Sequence, residues 1–269
     1  MSKQTIKDDD DINSFIDELI HCMQIKGLNV VHESHIMPDG ITFYRIYFDP
    51  IDTMHTLKFE SKPKIEYFVG KVDTEENMRI EADLGNTMFE DIEIDNALQV
   101  QITWLNSNPL YRGSGQKLLL FMLCNLFKIF KSNEIIIIEL DNDSDDPLFY
   151  EKTLHTFQLL EDDGTIKDSQ EMNISRKKDI LYLIREILLN IIKKDPEFGH
   201  CLQHFLESND FIKSIPIRHS SRIQKKEIKE IIVRPKGGTI KKNKTKRKKI
   251  NKKSKKSRRY YKSFKRINK

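Results

Sequence analysis

Arg112, Gly113, Ser114 and Gly115 stand directly before a long apolar run, and there residue type and spacing point most sharply to chemistry. The arrangement is that of an anion site. Arg112 supplies a guanidinium, the two glycines let backbone come close to a ligand, and the first N–H groups of a following helix lack partners at its positive end. No GxxxxGK is present. Only one G-x-G pair occurs, with no acidic ribose partner behind it, so the P-loop and dinucleotide readings are excluded. Metal chemistry is not expected. Cys22, Cys124 and Cys201 never form a C-x-x-C pair, which argues against a zinc site and against a disulfide framework. The run DNDSD from Asp141 has Asp146 where a calcium loop needs Gly and Lys152 where it needs Glu. The pairs His32/His35 and His200/His204 lack the H-E-x-x-H arrangement.

The elements that must position this loop follow from periodicity. Leu98–Trp104 alternates and predicts a strand, Gln116–Phe130 is apolar around most of its circumference and predicts a buried helix, and Ile135–Leu140 predicts a strand covered on both faces. A short helix is expected over Leu148–Leu154, with weak strands at Phe157–Leu160 and Glu171–Ile174. Upstream, residues 1–12 are expected to be a disordered acidic N-terminus, and Phe15, Ile16, Leu19, Ile20 and Met23 predict a helix from Asn13 to Gly27. The segments ITFYRIYFD, HTLKFE and KIEYFVGKV predict an antiparallel meander. Residues 73–97 are too mixed in period to assign. Asp179–Lys194 predicts an amphipathic helix, and Pro196–Phe211 a further one.

The stretch from Ile102 through RGSG, then IIIIELDN, then FYEK and Phe157, resembles the GCN5-related N-acetyltransferase (GNAT) superfamily. Arg112 and Gly115 match the first and fourth positions of that family's pyrophosphate-binding motif, Asn142 its asparagine after the fifth strand, and Tyr150 its helix tyrosine. The resemblance implies an α+β fold with a central mixed, mostly antiparallel sheet flanked by helices. It covers residues 13–176; residues 177–215 would add a helical extension, and 216–269 a linker and disordered basic tail. It implies acetyl-CoA as cofactor, held by Leu105, Arg112, Gly113, Ser114, Gly115, Gln116, Lys117 and Asn142. Lys117 replaces the usual small residue, and its ammonium is expected to snorkel toward phosphate or to mark a decayed site. Backbone N–H groups around Leu105–Ser107 would stabilise an oxyanion, and Tyr150 would protonate the leaving thiolate. Glu90, Asp91 and Glu93 are the candidates for a base. The Gly of the family's helix end is missing before Phe157.

Charge divides the chain. Of 46 Lys and Arg, 19 lie between Arg234 and Lys269, where no Asp or Glu occurs; the body keeps 27 basic against 41 acidic side chains. A body of net −14 suits a cationic amine acceptor, a protein lysine or a polyamine. The tail, residues 236–269, carries dense charge at Lys244, Lys246, Arg247, Lys248, Lys249, Arg258 and Arg259, with Tyr260 and Tyr261 able to stack on bases. It is expected to bind nucleic acid through phosphate. A Gly-Gly followed by a basic tail is similar to extensions on proteins of large DNA viruses. A catalytically decayed GNAT fold that binds or packages nucleic acid is the alternative reading. No apolar run reaches a membrane span, the start is polar and acidic, and the cysteines suit a reducing compartment. These predict an intracellular, non-secreted protein, with the nucleus or a viral factory suggested by the tail.

Overall fold

The computed structural model describes residues 3–51, 62–71, 78–83, 90–94, 97–107, 113–131, 134–142 and 148–208. HTLKFE, Arg112, most of DNDSD and the whole basic tail lie outside these residues. Contacts along the chain separate a unit Met1–Arg234 from a unit Pro235–Lys269.

Helix α1 spans Lys3–Ile25, which corrects the expectation of a disordered N-terminus up to residue 12. Its apolar stripe starts one turn earlier than Phe15: Ile12, Phe15, Leu19, Cys22 and Met23 are all buried, spaced at three to four residues. Gly27, at φ 76°, ends it and turns the chain into the sheet.

Strands β1 (Leu28–Ile36), β2 (Thr42–Pro50) and β3 (Lys64–Lys71) pair antiparallel in sequence order. β1 escapes the sequence pattern because it is an edge strand whose second half is exposed, so HESHI needs no apolar alternation. Tyr44, Ile46 and Phe48 of β2 and Ile65, Tyr67 and Val69 of β3 face the core. The unassigned region supplies β4 (Met78–Asp83) and β5 (Glu90–Ile94).

β6 (Ala97–Asn106), α2 (Ser114–Ile129), β7 (Ile135–Asp141), α3 (Phe149–Leu154), β8 (Phe157–Leu160) and β9 (Ile166–Arg176) follow, then α4 (Lys177–Lys194) and α5 (Pro196–Ser208). The sheet is mixed, with order β1-β2-β3-β6-β7-β9-β8-β4-β5. Its only parallel pair among the described strands is β6/β7, joined through α2. β7 is interior: Ile136, Ile137 and Ile138 are fully buried, as the unbroken apolar run requires.

α1, α2, α4 and α5 share one core with β1–β3, β6 and β7. Each of Phe15, Phe48, Phe127, Phe130 and Phe198 is almost wholly buried there, a gain of about 2 kcal/mol or more per ring before entropy is charged. At the border of this core the part-buried Asn125 Nδ2 of α2 donates to the Tyr67 hydroxyl of β3 at 2.8 Å.

Cys22 and Cys201 form a disulfide, Cα–Cα 5.8 Å, across 179 residues, which corrects the expectation of unpaired thiols. Spacing along the chain carries no trace of such a pair. It arises because α5 returns to lie on α1. Cys124, buried in α2, is the free cysteine among the described residues.

Candidate functional site

The region where anion chemistry is expected is built by the β6–α2–β7 crossover. β6 pairs with β7 from Ala97/Ile135 to Ile102/Leu140, and there that ladder ends. β6 runs on, still paired to β3, as far as Asn106 opposite Lys64. The pairing shifts between Glu66 and Tyr67, opposite Trp104 and Ile102, so Thr103 is an extra residue, a bulge. A bulge reverses side-chain parity. Val100 and Ile102 face the core before it and Leu105 after it, while Trp104 is left 52% exposed.

The chain enters α2 through Gly113, whose φ of 75° and ψ of 13° are left-handed, a conformation that favours glycine. Gly113 stands at the N-cap position and has no side chain to cap this helix start. A Cβ built on Gly113 would meet nothing within 4 Å, so space lies open there. Gly115 serves a different need: a Cβ would sit 3.3 Å from Ser107 Cβ and 3.8 Å from Phe149 Cζ. The end of β6 and the start of α3 therefore close on the first turn of α2. Leu105 is half-buried and packs on the core.

Ser114, Gly115, Gln116 and Lys117 are buried as whole residues, and Gly113 before them is partly exposed. The Lys117 ammonium turns to α5, with Nζ 2.8 Å from Asp195 Oδ2 and 4.7 Å from the centre of the Phe198 ring. That replaces the expected reach toward phosphate. Desolvation, helped by the nearby Lys26 charge, lowers the Lys117 pKa despite the hydrogen bond and charge of Asp195. Burial pushes the Asp195 carboxyl up, but hydrogen bonds from Lys117 and Lys26 outweigh it and hold it at about 2. The pair thus favours the carboxylate while the ammonium pays for its burial.

Asn142 is committed within the protein. Its Nδ2 donates to Glu171 Oε1 at 2.6 Å and its N–H to the Ser169 carbonyl, and Thr156 Oγ1 donates to the other Glu171 oxygen. Tyr150 is 6% exposed, in the core cluster, its ring edge-on to Phe149 at 5.0 Å. The missing helix-end glycine has a substitute: His155 takes φ 54° after α3, and Asn173 Nδ2 donates to the Leu154 carbonyl at 2.8 Å. His155 Nε2 lies 2.5 Å from Glu186 Oε2, and the Tyr182 hydroxyl donates to Oε1 at 2.7 Å. Burial pushes the Glu186 carboxyl up, but these two bonds hold it below its ordinary range.

Glu90, Asp91 and Glu93 do not join this region. They lie on β5, at the sheet edge, with four strands between it and β6. A cavity of about 590 Å³ opens instead beside the end of the β6/β7 ladder. It is lined by Glu139, Asp141, Asp162 and Glu171 against one ammonium, Lys167. Glu139 accepts from Gln99 Nε2 at 2.7 Å on the sheet face turned from α2.

A second cavity, of about 1110 Å³, opens at the first turn of α2, bordered by Ser114, Lys117, Lys26, Lys194 and Asp195. Sequence reasoning missed Asp195. Its signal was there: Asp195 before Pro196 is a helix N-cap followed by proline at the first position, and Phe198 N–H donates to Asp195 Oδ1 at 3.1 Å.

Among the described residues no helix is long and apolar enough to cross a membrane. No family model, curated protein or solved structure matches this chain.

Proposed function

We propose that the chain is an acetyl-CoA-dependent N-acyltransferase of GNAT type that transfers directly to a cationic amine. One observation carries the reading. The only parallel pair among the described strands loses its ladder just beyond Ile102/Leu140, beside a bulge at Thr103, where a glycine-opened buried helix begins. Such a gap in a sheet leaves room for an extended ligand, and the first N–H groups of α2 suit phosphate at its end. When bound, acetyl-CoA supplies an activated thioester.

The chain's own groups then divide the work. Gly113, Ser114, Gly115 and Gln116 present backbone N–H groups, with Arg112 and Asn142 assigned by resemblance. Leu105 and its neighbours, past the end of the β7 ladder, are the source of an oxyanion-stabilising N–H. The carboxylates of the 590 Å³ cavity hold an ammonium beside the same gap. The basic tail adds a nucleic-acid contact of its own.

A second reading rests on Tyr150 and Lys117. A core-buried tyrosine and a lysine paired to Asp195 are what a GNAT fold that has lost catalysis would keep, with nucleic-acid binding through the tail as its function. Thermal unfolding of the full chain with CoA separates the two. Ligand at 100 times its dissociation constant adds about 2.7 kcal/mol. A stabilisation lost in Gly115→Glu, together with acetylation of a polyamine or a lysine peptide, supports the enzyme. No shift at millimolar CoA excludes it.

A further inference from the structure

The 1110 Å³ cavity gathers three ammonium groups, Lys26, Lys117 and Lys194, around one partly buried carboxylate, Asp195; Glu197, also on its wall, is 88% exposed at its side chain and accepts from Lys26 at 3.3 Å. Asp195 Oδ1 takes Lys26 at 2.7 Å and Oδ2 takes Lys117 at 2.8 Å, while among the described residues Lys194 Nζ donates to the Gln116 amide oxygen at 3.3 Å. The carboxylate occupies the place a ligand anion would take. Asp195 closes α4, its N–H donating to the Ile191 carbonyl at 2.8 Å, while its side chain caps α5, so α5 orients the carboxylate rather than the backbone that carries it. Cys22 and Cys201 line the same cavity and tie the same two segments: Cys22 lies four residues before Lys26, and Cys201 six after Asp195.

We infer that the Cys22–Cys201 disulfide is a redox clamp that keeps Asp195 seated on Lys26 and Lys117, and that opening it uncovers a three-lysine site for a phosphorylated ligand. A dithiol attacks one sulfur and leaves as a cyclic disulfide. The two electrons and two protons it gives up convert Cys22 and Cys201 to thiols. Cys124 stays out of the exchange, because burial pushes its thiol up and keeps it protonated. Once α5 is free to lift, the Phe198 N–H that orients the Asp195 side chain withdraws, the carboxylate turns away, and the lysines bind an external anion. This site stands independently of acyl transfer.

The test uses the full chain, oxidised and after dithiol treatment, with inorganic pyrophosphate as probe. Calorimetric titration should show at least tenfold tighter binding to the reduced protein and to Cys201→Ser. Amide exchange in α5 should quicken at least tenfold in both. Lys117→Met should abolish the gain in pyrophosphate affinity while leaving the exchange difference. If Cys201→Ser fails to fold by circular dichroism, reversible reduction of the wild-type chain gives the same readout. Equal affinity in both redox states, no binding in either, or a gain that survives Lys117→Met would overturn the inference. So would two free thiols at these positions in air-oxidised protein.

Discussion

Lys117 of α2 and Asp195 at the start of α5 stand 2.8 Å apart, so one carboxylate both caps a helix and neutralises a lysine that is 5% exposed. Because Asp195 is held at about 2, below its ordinary 3.8, its contribution is fully present above pH 4 and is lost as pH falls toward 2. Urea unfolding across that window should show wild type losing on the order of 1–2 kcal/mol more than Asp195→Asn. At pH 7, Asp195→Asn should itself cost about 3 kcal/mol. Asparagine preserves the cap, so that loss reports the stranded Lys117 charge.

The Asn125–Tyr67 bond joins α2 to β3 at the border of the core. Tyr67→Phe removes the acceptor and leaves the part-buried amide without it, at a cost of about 1 kcal/mol. Asn125→Leu with Tyr67→Phe should recover part of this, since an apolar pair strands no donor. A double-mutant cycle by urea denaturation measures the coupling, and simple additivity would contradict a direct bond.

Gly113 and Gly115 should respond differently to alanine. Gly113→Ala meets no neighbour but forces a Cβ into the left-handed region, costing about 1 kcal/mol and leaving the loop's course unchanged. Gly115→Ala presses on Ser107 at 3.3 Å, which parts the end of β6 from α2. A pairing of Gly115→Ala with Ser107→Gly should restore thermal stability, and no such rescue should follow for Gly113→Ala.

The central crossover was legible because its segments are buried on most sides. The apolar run Ile135–Leu140 and the helix from Gln116 say so without help from tertiary context. β1 and β5 were not legible. An edge strand needs one dry face at most, and HESHI or EDIEI satisfies that with residues equally at home in a loop. At the site, the glycines could be read as a turn before a helix, but the partner of Lys117 could not. Asp195 lies 78 residues on, and local periodicity carries no information about which charge a buried ammonium will find.

The disulfide also sets an order of events during synthesis. Cys22 is made 179 residues before Cys201, an interval of about 10–40 s at ordinary translation rates. Throughout it the stripe of α1 from Ile12 to Met23 has no α5 to cover it, so the nascent chain carries an apolar helix past the ribosome. The docking of α5 thus completes an element made long before it, and a ribosome stalled before residue 201 would hold every described strand of the sheet yet leave that helix without its tie.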